Sequence, residues 1–284
     1  MTTAPDEPVM TTSRWGTRIW WLDGCPHRVD GPAIEWLSGR KEWRLHGRRH
    51  RVGGPAVTKA SGTEEWWLHG KRHRVDAPAV VRPDGSTVWW LDGKRHRMGG
   101  PAVENANGTK EWRINDKLHR LSGAAIEYAD GGREWYYSGR RHRINGAAVE
   151  HADGGKEWWS YGQRHRVDGP AVMLADGSRE WHERGRPHRL EGPAIEHADG
   201  SREWWLYGTQ YDFDGPPPVV LAVEMAGVDH RSYSLLRVGT TYRVGGRDFA
   251  TVEDALACWR DKDTARARLF VPALEQELQF RSEP

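Results

Sequence analysis

Gly-Ser-Thr-Val-Trp-Trp-Leu-Asp-Gly-Lys-Arg-His-Arg-Met-Gly-Gly-Pro-Ala-Val-Glu-Asn-Ala-Asn, residues 85–107, is one unit of a pattern that returns every 23 residues. Its first tryptophan belongs to a column formed by Trp20, Trp43, Trp66, Trp89, Trp112, Trp135, Trp158, Trp181 and Trp204. His-Arg pairs keep the same beat, from His27-Arg28 to His188-Arg189. An unbroken period of this length is the signature of a repeat array, in which each unit buries its apolar face only against its neighbours. Within the quoted unit, Asp84-Gly85 and Asp92-Gly93 are turn signals that supply the positive φ angles of tight hairpins. Between them Ser86–Leu91 is rich in β-formers and too short for a helix. Gly100–Glu104 reads as the next strand, opened by a proline that has no N–H to donate. Each unit is therefore expected to be a β-hairpin plus a connection.

Working outward, the turn glycines are retained more strictly than the side chains between them. Only Asp116 interrupts the column Gly24, Gly47, Gly70, Gly93, Gly139, Gly162, Gly185 and Gly208. Repeats five and six replace Gly-Pro-Ala with Gly123-Ala-Ala and Gly146-Ala-Ala. The ninth unit decays into Tyr211-Asp-Phe-Asp-Gly-Pro-Pro-Pro218, as a terminal cap does, and its prolines stop further strand pairing. The period is then lost. Val219–Glu224, Tyr233–Val238 and Thr241–Val244 read as strands. Thr251-Val-Glu-Asp254 is a capping box that opens a helix through Arg260, and a second amphipathic helix is expected over 264–278. Its apolar stripe is Ala267, Leu269, Phe270, Ala273, Leu274 and Leu278. The expected organisation is a flexible lead over 1–14, a hairpin array over 15–217 and a small α+β domain over 218–284. The fold class is mainly β, an elongated single-layer array of about nine hairpin repeats followed by that domain.

Trp-Trp-Leu-His-Gly-Lys-Arg-His at 66–73, followed by a proline-alanine segment and an Asp-Gly turn, resembles the MORN repeat, a 23-residue unit with a W-x-x-G-K-x-H-G core. The likeness is closer to the MORN-like variant carrying His-Arg-x-Asp-Gly-Pro-Ala, found in phage, giant-virus and bacterial proteins, and it covers residues 15–217. An arginine stands here where the standard motif has the glycine of its His-Gly pair. The resemblance implies an elongated single-layer sheet of hairpins used as a scaffold, in some members linked to lipids. Residues 249–259 also resemble a short accessory module of actinobacterial and phage proteins, which implies no function.

Composition narrows the function. The 284 residues hold 33 glycines, 16 prolines and 17 tryptophans, and 42 basic side chains stand against 40 acidic ones, a net charge of +2. So even a balance argues against a dedicated nucleic-acid binder. Cys25 and Cys258 show no metal-type spacing, the first residues are polar and acidic, and no apolar run is long enough to span a bilayer. The expectation is a soluble cytoplasmic protein without a transmembrane segment.

Three columns carry the candidate chemistry. Column histidines two strands apart lie roughly 9.5 Å from one another, too far to share a metal ion, so no metal and no cofactor is expected. The expected role of each imidazole is to pack on a tryptophan and bond a turn carbonyl. No unit assembles a nucleophile, a base and an orienting group, so catalysis is not expected. The arginines Arg28, Arg51, Arg74, Arg97, Arg120, Arg143, Arg166 and Arg189 are either a basic stripe for phosphate or anionic lipid, or one side of a charge ladder. The ladder, which we favour, uses Glu42, Glu65, Glu111, Glu134, Glu157, Glu180 and Glu203 before the Trp column, and Glu35, Glu104, Glu127, Glu150 and Glu196 after Gly-Pro-Ala or Gly-Ala-Ala. The second aromatic position, Trp21, Trp67, Trp90, Tyr136, Trp159 and Trp205, alternates to the other face and is interrupted by Arg44, Arg113 and His182. A single sheet cannot bury both faces, so this stripe is expected to be either covered by long basic side chains or free to contact a protein, a glycan or a second array. Taken together these readings predict a non-enzymatic scaffold for protein–protein interaction. The alternatives are anionic lipid or nucleic-acid binding through the His-Arg column, or an activity confined to the C-terminal domain.

Overall fold

The computed structural model describes residues 7–211, 219–224, 233–238, 241–244, 247–262 and 264–282. The Pro-rich end of the ninth unit, over 212–218, lies outside them. The chain divides into two compact units, Met1–Asp153 and Gly154–Pro284. The division falls inside the repeated stretch of sequence.

In the first unit the repeats form antiparallel ladders of two kinds. Repeat 2, built around Trp43, shows both. Lys41-Glu42 pairs with Ile34-Glu35 on one side and with Val57-Thr58 on the other, and Val57-Thr58 pairs onward with Glu64-Glu65. A separate short hairpin joins Arg44-Leu45 to Arg48-Arg49. Its two turn residues, His46 and Gly47, have φ of 45° and 76°. Two positive φ angles in succession make a type I′ turn, whose twist suits a two-residue hairpin. The continuous strand expected over Ser86–Leu91 is consequently split at Trp89, leaving Thr87-Val88 in one ladder and Trp90-Leu91 in the other. The tryptophan is the crossing point: Trp89 N donates to Ala102 O at 2.8 Å, and its carbonyl accepts from His96 N at 3.1 Å. In repeat 1 the strand does run unbroken, over Arg18–Leu22. Val9–Thr12, inside the lead that the sequence marks as flexible, pairs antiparallel with it and covers its edge.

The other turn is a different device. At Asp84-Gly85 only the glycine has positive φ, while the Asp84 carboxylate accepts the Ser86 N–H at 2.8 Å. Small side chains make the core. Ala33, Ala56, Ala79, Ala102, Ala125 and Ala148 have no exposed surface, and Ile34, Val57, Val80, Val103, Ile126 and Val149 beside them are buried.

The second unit continues the same repeat from Lys156-Glu157, with Ala171 and Ala194 fully buried, and ends in the two-stranded pair Arg202–Leu206 with Thr209–Tyr211. It also contains the C-terminal domain. Val219–Glu224, Tyr233–Val238, Thr241–Val244 and Arg247–Phe249 form an antiparallel sheet in that order, one short strand more than expected. Helix α1, Val252–Trp259, is capped by Thr251, whose hydroxyl accepts the Asp254 N–H, as the capping box implies. Helix α2, Ala265–Ser282, runs past its expected end. Leu235, Tyr242, Val252, Ala255, Leu256, Phe270 and Leu274 form one buried cluster. Of the expected stripe, Ala267, Phe270 and Leu274 are buried and Leu269 is exposed. Glu277 is buried against Arg237 Nε at 3.2 Å and the Tyr242 hydroxyl at 3.3 Å. Among the described residues no helix is long and apolar enough to cross a membrane.

Candidate interaction surface

Each arginine of the His-Arg pair lies flat on the column tryptophan of its own repeat. Arg51 is 4.0 Å from the Trp43 ring, Arg97 4.0 Å from Trp89, and Arg120 and Arg143 3.8 Å from Trp112 and Trp135. Arg28, Arg74, Arg166 and Arg189 repeat the stack on Trp20, Trp66, Trp158 and Trp181. From there Nη1 of Arg51, Arg74, Arg97, Arg120 and Arg143 donates to the carbonyl that precedes the buried alanine, at 2.9–3.2 Å. Arg97, Arg120, Arg143 and Arg189 also reach the carboxylates of Glu104, Glu127, Glu150 and Glu196. These are four of the five glutamates of the ladder's second set; the fifth, Glu35, pairs with Arg18, and Arg28 turns to Asp30. Where the corresponding residue is Thr58, Val81 or Met173, the stack and the carbonyl bond remain.

The first glutamate set is served by other arginines, which sequence reasoning passed over because they sit next to the His-Arg pair rather than in it. Glu42 is held by Arg49, Arg44 and Arg40, Glu65 by Arg72 and Lys59, Glu134 by Arg141, and Glu157 by Arg164. Burial by itself would raise the Glu42 carboxyl, but hydrogen bonds from Arg49, Arg44 and Arg40 outweigh it and hold the group below the usual carboxylate range. Glu65 and Glu134 are held down in the same way, against the same burial.

These glutamates also explain the second aromatic position. Trp67, Trp159 and Trp205 donate their indole N–H to Glu65, Glu157 and Glu203 at 2.8–3.0 Å. Tyr136 donates its hydroxyl to Glu134 at 2.7 Å. The apparent interruptions do the same: Arg44 donates to Glu42, Arg113 to Glu111, and His182 Nε2 lies 2.8 Å from Glu180. In repeat 1, where Ile19 replaces the glutamate, Trp21 donates instead to the Thr11 hydroxyl of the covering strand. In seven of the nine repeats the column thus presents a donor to a carboxylate, whether or not the residue is aromatic; Trp21 and Trp90 are the two that do not. All six of its aromatic members are half-buried, and Arg49 and Arg72 flank the Trp67 ring at 4.9 Å.

Histidine Nδ1 accepts rather than donates. His27, His50, His73, His96 and His119 receive the backbone N–H of the next repeat's first turn residue, at 3.1–3.4 Å. The expectation of a bond to a turn carbonyl is corrected: the ring nitrogen meets a turn amide instead. Among the described residues no group of three or more His, Cys, Asp or Glu is placed to hold a metal ion.

What remains is the residue after each His-Arg pair. Val29, Val52, Val75, Met98, Leu121 and Ile144 of the first unit are 66–85 % exposed. In the second unit Val167 and Leu190 are exposed at the same position and border a cleft of about 470 Å³ with His165, Trp181, His182 and His188. Sequence reading left this column unremarked. Its signal is an aliphatic side chain in each of the first eight repeats, set between a committed arginine and a glycine-rich bend, with no strand to bury it. Comparison with protein-family models and with curated proteins finds no match for this chain.

Proposed function

We propose that the repeat array is a non-enzymatic scaffold that binds protein partners, and that its contact surface is the exposed aliphatic row. One observation carries this reading: the arginine, glutamate and second aromatic columns are engaged inside the fold, whereas the aliphatic row faces solvent in the first eight repeats. Exposed apolar side chains in register are characteristic of interaction surfaces, and the near-zero net charge favours a protein over a polyanion. The resemblance to MORN-like repeats supports the same class.

The test uses the immobilised full chain and its Met98→Asp/Leu121→Asp variant as baits. A protein retained by the first and lost by the second, with retention insensitive to salt, is the expected result. Equal retention by both baits overturns the aliphatic surface. Capture of anionic lipid or nucleic acid that falls steeply with salt would assign binding to the His-Arg column instead.

A further inference from the structure

Resting on the reading of the aliphatic row as a binding surface, we propose that its partner is a second copy of this chain, docked antiparallel so that the two rows interlock. Repeats add two ladder strands each, so row residues recur about every 9.5 Å. A second copy of the array has the same period by construction. An extended strand presents side chains to one face about every 6.6 Å and falls out of step within a repeat or two.

The identities along the row favour one orientation. With the six repeats of the first unit overlapped antiparallel about a two-fold axis, Val29 faces Ile144, Val52 faces Leu121 and Val75 faces Met98. Every valine then meets a longer side chain, so the summed volume across the contact stays nearly constant. The residues that follow obey the same pairing: Asp30 faces Asn145, Gly53 faces Ser122 and Asp76 faces Gly99. No acid meets an acid. Parallel in-register docking would instead set Asp30 against Asp30, Asp76 against Asp76 and valine against valine. The area is also adequate. An aliphatic side chain of this kind presents on the order of 100 Å². Six give roughly 600 Å² per copy before their flanking residues are counted, close to the ~800 Å² per partner of a stable interface.

Sedimentation of the full chain over a concentration series reaching about 100 μM tests the proposal. A reversible dimer is expected, and Leu121→Asp/Ile144→Asp should weaken it by roughly tenfold or more without moving the melting temperature measured below the dimerisation range, since both side chains are almost fully exposed. A monomer throughout the series overturns it, as does a dimer that the double variant leaves unchanged. Orientation is read from a charge pair. Val29→Lys and Ile144→Glu should each weaken the dimer, and the chain carrying both should recover, because each lysine then meets a glutamate. Failure to recover overturns the antiparallel arrangement. A monomeric chain that still captures an unrelated protein through the row would sink the second copy and leave the scaffold reading standing.

Discussion

Repeats 3 and 4 present the same tryptophan pair, Trp66-Trp67 and Trp89-Trp90, in different surroundings. In repeat 3 the Trp67 indole donates to Glu65, which is only 3 % exposed and also holds Arg72 and Lys59. In repeat 4 the glutamate is replaced by Val88, which packs with Val80 and Val103 against Trp90. The Trp90 indole N–H is buried without a hydrogen-bond partner among the described residues. Arg95, deprived of the carboxylate that Arg72 has, turns to the next repeat and donates from N and Nε to Asp116 at 3.1 and 3.0 Å. Asp116 is the residue that breaks the turn-glycine column, at φ 68°. The two departures from the pattern are therefore linked through Arg95: where one repeat lacks the glutamate, its arginine pairs with an acid in the turn of the next.

The largest effect should come from making repeat 3 resemble repeat 4 without the compensation. Glu65→Ala strands the Trp67 N–H and two cations, and should cost about 2–4 kcal/mol in urea denaturation. Val88→Ala removes only aliphatic contact and should cost about 1–2 kcal/mol. Equal costs would mean that the glutamate column is not a hydrogen-bonding hub.

Acid should separate the repeats next. His50 is shifted below its ordinary value, by burial first and then by the neighbouring His69, and His27 and His188 are also lowered, by burial first. A lowered folded-state value means that this stability is present above pH 6.5 and is lost as pH falls below it. Protonation at Nδ1 also cancels the acceptor for the turn amide, a loss of about 0.5–1.5 kcal/mol per bond. The repeat 4 turn is built differently, with the Asp92 carboxylate Oδ1 2.9 Å from His73 Nδ1. His69→Asp copies that turn and should reduce the loss of melting temperature between pH 7 and pH 5.5. An unchanged or larger loss would contradict the acceptor role of the ring.

Smaller effects test the compensation. Val88→Glu should stabilise by about 0.5–1 kcal/mol by giving Trp90 and Arg95 an acceptor. Asp116→Gly should change the wild type by less than about 0.5 kcal/mol, since the lost ion pair offsets the relief of a positive φ. In the Val88→Glu background the same change should become stabilising by about 1 kcal/mol. A double-mutant cycle that closes additively would show the two sites to be independent.

The fold was legible from the sequence because one positive-φ position of each hairpin turn is held by glycine in every repeat but that of Asp116, and those glycines fixed the period and both turns. The split of each inner Trp strand was not, because alternation cannot show a backbone that leaves one ladder for another at Trp89. At the second aromatic position, Arg44, Arg113 and His182 read as interruptions because the column was judged by apolarity. Indole, guanidinium, phenol and imidazole share a donor, and the donor is what the carboxylate selects. The aliphatic row escaped because valine, leucine and methionine ordinarily signal a core, and only the structure shows that nothing packs over Val52 or Leu121. In the C-terminal domain the capping box was readable from Thr251 and Asp254, whereas Arg247–Phe249 is too short to carry a strand pattern.

The arginine, glutamate and aromatic columns are the fabric of the fold, and the aliphatic row is its free surface. Urea denaturation of matched double variants tests this most directly. Leu121→Asp/Ile144→Asp should leave the unfolding midpoint where it is at a protein concentration below self-association, and Glu65→Ala/Trp67→Ala should lower it markedly, by a loss of about 3 kcal/mol or more. A large fall in the first pair with none in the second would contradict the account.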